Sequence, residues 1–230
     1  MPISHWRSKM LWTYGRLDFV ELTSVTSYIN RDILVSRDAS ALTGSVYVSF
    51  AGADPAAAGG AGLSSNLRDT TKLKQFTQEL RLGSSGSGPF QWVFGGFYSD
   101  AHRTYHQRLP TPGYDAFIDA ATAPGVSASQ DNGFGLVDNP YHANLPYTDK
   151  QKALFGEASY KIDQFKLTAG GRWYDFKETR RFHSGGIFSG LDDRTDKTKS
   201  NGFSPRGIAS WEPSRNLSVN LQVAKGFRLG

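Results

Sequence analysis

The sequence predicts an all-β fold, an antiparallel meander of about seven strands forming part of a transmembrane β-barrel. Three observations carry this reading. Apolar and polar residues alternate with a period of two, aromatic residues stand near the ends of the apolar faces, and short and long connections alternate along the chain.

The alternation is clearest from Leu154 to Phe182. Leu154, Gly156, Ala158, Tyr160 and Ile162 oppose Phe155, Glu157, Ser159 and Lys161. After Asp163 the pattern resumes, with Phe165, Leu167, Ala169, Gly171 and Trp173 opposing Gln164, Lys166, Thr168, Gly170, Arg172 and Tyr174. Successive strand side chains point to opposite faces, so this is a hairpin with one apolar and one polar face, joined by a short turn at Asp163. Tyr160 and Phe165 sit by the turn and Trp173 far from it, as in a strand that crosses a bilayer between two aromatic girdles. A soluble sheet with one buried face gives the same alternation, so the hairpin alone does not decide.

Composition narrows the choice. The chain has 230 residues, a mean hydropathy of −0.44 and 38% hydrophobic residues. No run approaches the roughly 18 apolar residues of a membrane helix, which excludes helical spanning. A barrel tolerates such polarity because half of each strand faces water. Glycine (25 residues) and aromatics (13%) suit strands, turns and girdles. With no cysteine there is no disulfide framework, thiolate metal site or cysteine nucleophile. The charge of +5 is dispersed along the chain and matches no nucleic-acid-binding signature.

Along the chain, residues 1–17 are an N-terminal extension left unassigned, and residues 18–230 read as a partial barrel. No apolar h-region follows the basic start, so no signal peptide is visible; for an exported protein this implies a beginning upstream. Residues 18–36 read as one long strand and 38–70 as a loop of small residues. Phe76, Leu80 and Leu82 mark the strand Lys74–Leu82, and Gly83–Pro89 is a turn. That turn lacks the Lys-Ser/Thr and the helix of a phosphate loop. A strand from Phe90 follows, with Trp92, Phe94, Gly96 and Tyr98 on its apolar face. Residues 109–148 are the longest loop and 184–200 another. The strand Gly202–Trp211, the turn Glu212–Asn216 and the strand from Leu217 close the chain.

The three short connections (Gly83–Pro89, Asp163 and Glu212–Asn216) alternate with the three long ones (38–70, 109–148, 184–200). In an antiparallel meander all short turns then lie at one end and all long loops at the other. This asymmetry favours an outer-membrane barrel over a soluble sandwich. The free edges are expected near residues 18–36 and 217–227.

Several segments together resemble the barrel of TonB-dependent outer-membrane receptors: FTQELRL (Phe76–Leu82), WVFGGFYSD (Trp92–Asp100), ALFGEASYKI (Ala153–Ile162), LTAGGRWYDFKE (Leu167–Glu178), SPRGIASWEP (Ser204–Pro213) and VAKGFRLG (Val223–Gly230). LTSVTSY (Leu22–Tyr28) resembles an earlier strand of the same barrel. The resemblance implies a place in the outer membrane, among its lipids. It also implies uptake of a small ligand such as a ferric siderophore, driven through the TonB complex. Such receptors have 22-stranded barrels around a plug. Seven strands are about a third of that, and no plug domain or TonB-contacting segment is found ahead of residue 18. The plug through which TonB acts is therefore expected to be missing from this chain. A non-energised pore or adhesin barrel and a secreted β-sandwich binding protein are the alternatives.

The polar set Glu79, Arg81, Glu157, Lys161, Lys166, Arg172, Arg206 and Gln222 is expected to line the lumen. Tyr114, Phe117, Tyr141 and His142, in the longest loop, are the candidate ligand contacts, because loops carry specificity on a rigid scaffold. His102 and His106 share a face but lie about 13 Å apart along a strand, too far to chelate one ion. Asp192, Asp193 and Asp196 fall in a loop without the spacing of a calcium site. No catalytic residue, metal site, cofactor or nucleic-acid partner is expected.

Overall fold

A computed structural model describes residues 3–51, 63–134, 136–214 and 216–226, with side chains described throughout except at 3 and 46–51. The elements in chain order are β1 (Ile3–Leu17), β2 (Val20–Asp38), α1 (Ser40–Ala51), β3 (Asn66–Ser84), β4 (Phe90–Arg108), α2 (Tyr114–Ala121), α3 (Val126–Ser129), β5 (His142–Asn144), β6 (Tyr147–Ile162), β7 (Phe165–Gly185), β8 (Asp192–Ser214) and β9 (Leu217–Ala224). The strands form one antiparallel sheet in sequence order.

β5 and β6 occupy a single ladder position. Asn144 pairs with His106 and His183, Tyr147 pairs with Arg103 and Arg180, and the register runs through without a shift. The ladder is interrupted only at Leu145 and Pro146, where proline supplies no N–H. The flanking bonds persist: Leu145 N donates to the Tyr105 carbonyl (2.8 Å) and Arg181 N to the Pro146 carbonyl (3.0 Å).

The sheet thus has eight positions rather than about seven, because residues 1–17 supply β1. Every residue of β1 pairs with β2, from Ile3 opposite Leu34 to Leu17 opposite Val20. The N-terminal free edge is therefore β1 rather than residues 18–36. A second difference is at 184–200, where the expected loop contracts to 186–191 and β8 begins at Asp192. This polar stretch lacks apolar alternation, yet its backbone pairs fully with β7. Arg181 reinforces the ladder by pairing across it with Asp193 (3.4 Å), which also lies 3.3 Å from His183, and Arg194 pairs with Asp192 along β8. The expected loop 38–70 contains α1 and part of β3, and residues 52–62 lie outside the described residues.

Four tight turns lie at one end, between β1 and β2, β3 and β4, β6 and β7, and β8 and β9. Asp18 (φ 26°) and Asp163 (φ 49°) adopt left-handed backbone in the first and third, a conformation that Asp tolerates better than most residues. In the second, Gln91 Nε2 donates to the carbonyls of Gly86 (2.7 Å) and Gly88 (2.8 Å). The longer connections all lie at the other end.

Register assigns the faces. On one face, Phe90, Tyr160, Ile162, Phe165 and Trp211 form a belt beside the tight turns. Tyr28, Phe76, Tyr98, Trp173 and Phe203 form a second belt further along. Phe165 and Trp173 are eight residues apart, roughly 27 Å along the strand and about 20 Å in depth at the usual barrel tilt. Between the belts lie Ala158, Leu167, Ala169, Gly207, Ala209, Leu221 and Val223, which line one shallow groove. No element of the described chain covers this face: Leu221 is 70% and Val223 74% exposed.

The opposite face is mostly polar. Gly170 lies between Glu157 and Arg206 in the ladder, and a Cβ there would come within 2.7 Å of the Gly156 carbonyl oxygen. Its bare backbone lets Arg206 reach across to Glu157 at 3.4 Å. β1 departs from the pattern, placing Trp6, Met10, Trp12 and Tyr14 on this otherwise polar face.

These faces make a sharp prediction for the intact protein in lipid. A charge at the midplane of a barrel's lipid face costs about 2–4 kcal/mol. Leu221→Arg should lower the folded yield in lipid vesicles, whereas Gln222→Arg, one residue away, should leave it unchanged. Equal yields would contradict the assigned faces.

Candidate ligand-binding site

The hydrophobic core of the described chain sits in its loops. Leu63 from the β2–β3 connection packs with Tyr114 and Ile118 of α2. Phe117, Val126 and, from the β7–β8 connection, Ile187 and Phe188 surround them. Three separate connections thus share one small core above the sheet. Thr43 of α1 joins it by donating to the Leu63 carbonyl (2.8 Å).

The longest connection is folded throughout its described length. Asp138 accepts from the backbone N–H groups of Gly113 (2.9 Å) and Asp115 (3.0 Å) at the start of α2, while Asp115 accepts from Asp138 N (3.1 Å). These bonds satisfy orphan donors of the first helical turn. Asp119 does the same for α3, accepting from Gly125 N and Ser127 N, and these bonds hold its carboxyl below the usual carboxylate range. Arg108 ties the loop to the sheet through the Ala143 carbonyl (2.8 Å) and Asn144 Oδ1 (2.6 Å).

The four loop candidates fall into this framework. Tyr114 is buried, its hydroxyl donating to Gln130 Oε1 (2.6 Å), and burial pushes its pKa up to about 12. Phe117 packs against the same core. His142 is fully buried in β5, with Nε2 2.6 Å from the Asp131 carbonyl and its ring against Phe134. Tyr141 is half-buried beside it. In this conformation the first three shape the loop, and Tyr141 retains partial access.

The eight residues expected in the lumen all lie on the polar face. Their charges are largely matched: Arg81 with Glu79, Arg206 with Glu157, and Lys161 with Glu212 (2.9 Å). The Arg172 guanidinium lies over the rings of Phe97 and Phe155. Lys166 and Gln222 share the face without an ion pair among the described residues. His102 pairs with Asp100 (3.0 Å), and His106 bonds Asn144 (2.5 Å). Asp192, Asp193 and Asp196, expected in a loop, lie instead on β8, with Arg194 bonded to Asp192 and Asp196. Among the described residues no cluster of three or more His, Asp or Glu is placed to hold a metal.

A cleft of about 380 Å³ on the polar face, near the long-loop end, escaped the sequence reading. Arg103 lies between two rings, 5.2 Å from the centroid of Tyr105 and 5.4 Å from that of Tyr147. Arg180 lies 6.0 Å from the Tyr147 ring and bonds Glu178 (2.5 Å). Asp149 stands opposite Glu178 in the ladder. Among the described residues Arg103 makes no hydrogen bond or ion pair, so its five donors face the cleft unspent. Alternation puts each of these residues on the polar face. Only the pairing of β6 with β4 on one side and β7 on the other brings them together.

A one-sided apolar band between aromatic belts, with folded loops gathered at one end, is the pattern of a segment of a membrane β-barrel. The sequence model described as "TonB dependent receptor-like, beta-barrel" matches residues 6–230, and the chain belongs to that family. Its members are transport receptors of the outer membrane and not enzymes. No curated protein matches the chain significantly. Among solved structures, the chain is similar to the ferric yersiniabactin uptake receptor FyuA from Yersinia pestis, with TM-score 0.65 and 12% identity over 92% of this chain. It is also similar to the siderophore receptor PiuA from Acinetobacter baumannii, with TM-score 0.56 and 16% identity over 97%. The chain spans 26% of the first of these and 32% of the second.

The buried imidazole makes the loop pH-sensitive. Burial holds His142 below its ordinary value of 6.5, so it stays neutral in the folded loop. An unfolded loop takes up a proton more readily, so loop stability present above pH 6.5 is lost as the pH falls through it. Hydrogen exchange over Tyr141–Asn144 should therefore quicken at acidic pH in the intact protein, after correction for intrinsic rates, and His142→Gln should remove that acceleration.

Proposed function

We propose that this chain is part of the barrel of an outer-membrane receptor that takes up an anionic, metal-complexed small ligand such as a ferric siderophore. Uptake would be energised by the TonB complex through a plug domain. The polar face lines the lumen, the apolar face meets outer-membrane lipid, and the folded loops form the entrance. The arginine cleft is the observation that supports this reading most directly. Arg103, held between Tyr105 and Tyr147 with its donors free, offers charge-assisted hydrogen bonds and flat ring surfaces to an anionic aromatic or hydroxamate ligand. The two structural relatives are siderophore receptors by their printed names, which supports the same substrate class. Tyr141, at the loop margin, is placed to make further contact, whereas Tyr114, Phe117 and His142 act by holding the loop in shape.

The polar residues on the lumen face, Glu79, Arg81, Glu157, Lys161, Lys166, Arg172, Arg206 and Gln222, would meet the plug through hydrogen bonds and ion pairs. With five cations against two carboxylates the set is net basic, and its exposed ion pairs suit a contact that must loosen during transport rather than a permanent core.

The intact receptor tests this assignment. Losing a charged hydrogen-bonding partner costs about 1.5–3 kcal/mol, or roughly 10- to 100-fold in affinity. Arg103→Ala should weaken binding of a ferric siderophore by that factor, with the fold unchanged by circular dichroism. Undiminished binding across a panel of ferric siderophores would remove the cleft from the site.

A further inference from the structure

The strands of this sheet are much longer than a bilayer requires. A transmembrane strand needs roughly 9–11 residues, whereas β4 has 19, β7 has 21 and β8 has 23. The excess lies beyond the second aromatic belt, on the long-loop side, where the apolar face turns basic. Lys150, Lys177 and Lys199 stand directly opposite one another on β6, β7 and β8, in one row on the lipid-side face. Adjacent strands are about 4.8 Å apart, and like charges directly opposite each other are destabilising. Lys152 and Lys197 lie on the same face one register step to either side of the row, and Lys74 lies on β3.

Local acids neutralise this patch only in part. Asp100 lies 3.5 Å from Lys150 but also pairs with His102, and Asp175 lies 3.9 Å from Lys177. Lys74, Lys152, Lys197 and Lys199 make no ion pair among the described residues. At the same height on the opposite face Arg180 is matched by Glu178 and Arg194 by Asp196, and Arg103 is the cation left to the cleft. Four unpaired lysines thus lie on the face turned away from the lumen, against one unpaired arginine on the other.

We propose that the Lys150–Lys177–Lys199 row is a docking surface for phosphate-bearing lipid headgroups of the leaflet on the long-loop side. This rests on the membrane placement given above. The row lies two register steps beyond Trp173 and Phe203, the belt that sets the edge of the hydrocarbon, so it stands at headgroup depth. Three cations in a row, on strands about 4.8 Å apart, can share the oxygens of bound phosphates, and the bound anions relieve the repulsion among the lysines. The same arrangement would hold the barrel at a fixed depth and slow its rotation among its lipids.

The test uses the intact receptor with Lys150→Gln, Lys177→Gln and Lys199→Gln combined, and a second variant carrying Arg at all three positions. Native mass spectrometry counts phosphatidic acid retained from micelles mixed with phosphatidylcholine, and circular dichroism follows thermal unfolding. Wild type and the Arg variant should retain at least about tenfold more phosphatidic acid than the Gln variant. Phosphatidic acid should raise the Tm of wild type and not that of the Gln variant. In detergent without anionic lipid the order should reverse or vanish, with the Gln variant melting no lower than wild type, because the repelling row is gone. Inorganic phosphate equimolar with the lipid should not displace it. Equal retention by wild type and the Gln variant, displacement by inorganic phosphate, or a Gln variant that melts lower even without anionic lipid would each overturn the proposal. Failure of the membrane placement itself would show separately, as equal tolerance of Leu221→Arg and Gln222→Arg.

Discussion

The structure depends on a face that its own chain does not cover. Leu167, Ala169, Leu221, Val223 and their neighbours form a continuous apolar surface, and no helix or second sheet packs on it among the described residues. In water such a surface would drive association, and in hydrocarbon it is the surface a spanning strand needs. The backbone meets the same condition. Strands β2–β7 satisfy most of their N–H and C=O groups through two neighbours, which hydrocarbon demands because no water is present to replace a missing partner. Among the described residues β1, β9 and the first half of β8 keep open edges, where a membrane sheet needs partners.

The remaining features follow from this two-faced sheet. Alternation sends the charged residues to the other face, where they pair across the ladder, as Arg206 does with Glu157 over Gly170. The tight turns fix the register at one end. At the other end the strands run on past the aromatic belt into the loops, where a conventional hydrophobic core forms around Tyr114 and Ile118. The cleft around Arg103 sits between these two regimes, on rigid strands yet beneath the loops.

Much of this was legible in the sequence because the side-chain period of a strand is two. The hairpin from Leu154 to Trp173, the aromatic girdles, the tight turns and the polar face are all written in single-residue alternation. β1 was not legible, because Met10, Leu11 and Trp12 run together and both of its faces carry large apolar residues. The start of β8 was hidden for the opposite reason, since Asp192–Asn201 is polar on both faces and is held by pairing with β7. The loop core and the Arg103 cleft depend on which strands and loops come together, which no single segment records. Tyr114 and His142 were singled out because they are aromatic groups in a long loop. Burial, which turns them into structural residues, is a property of the folded loop.

The assigned faces carry every functional statement, and the five tryptophans report on them directly. Trp92, Trp173 and Trp211 lie on the apolar face and Trp6 and Trp12 on the other. Single-tryptophan versions of the intact receptor, reconstituted in bilayers whose acyl chains carry bromine, measure contact with hydrocarbon through fluorescence quenching. The account predicts strong quenching at Trp92, Trp173 and Trp211 and little at Trp6 and Trp12. Quenching at Trp6 and Trp12 equal to that at Trp173 would contradict it.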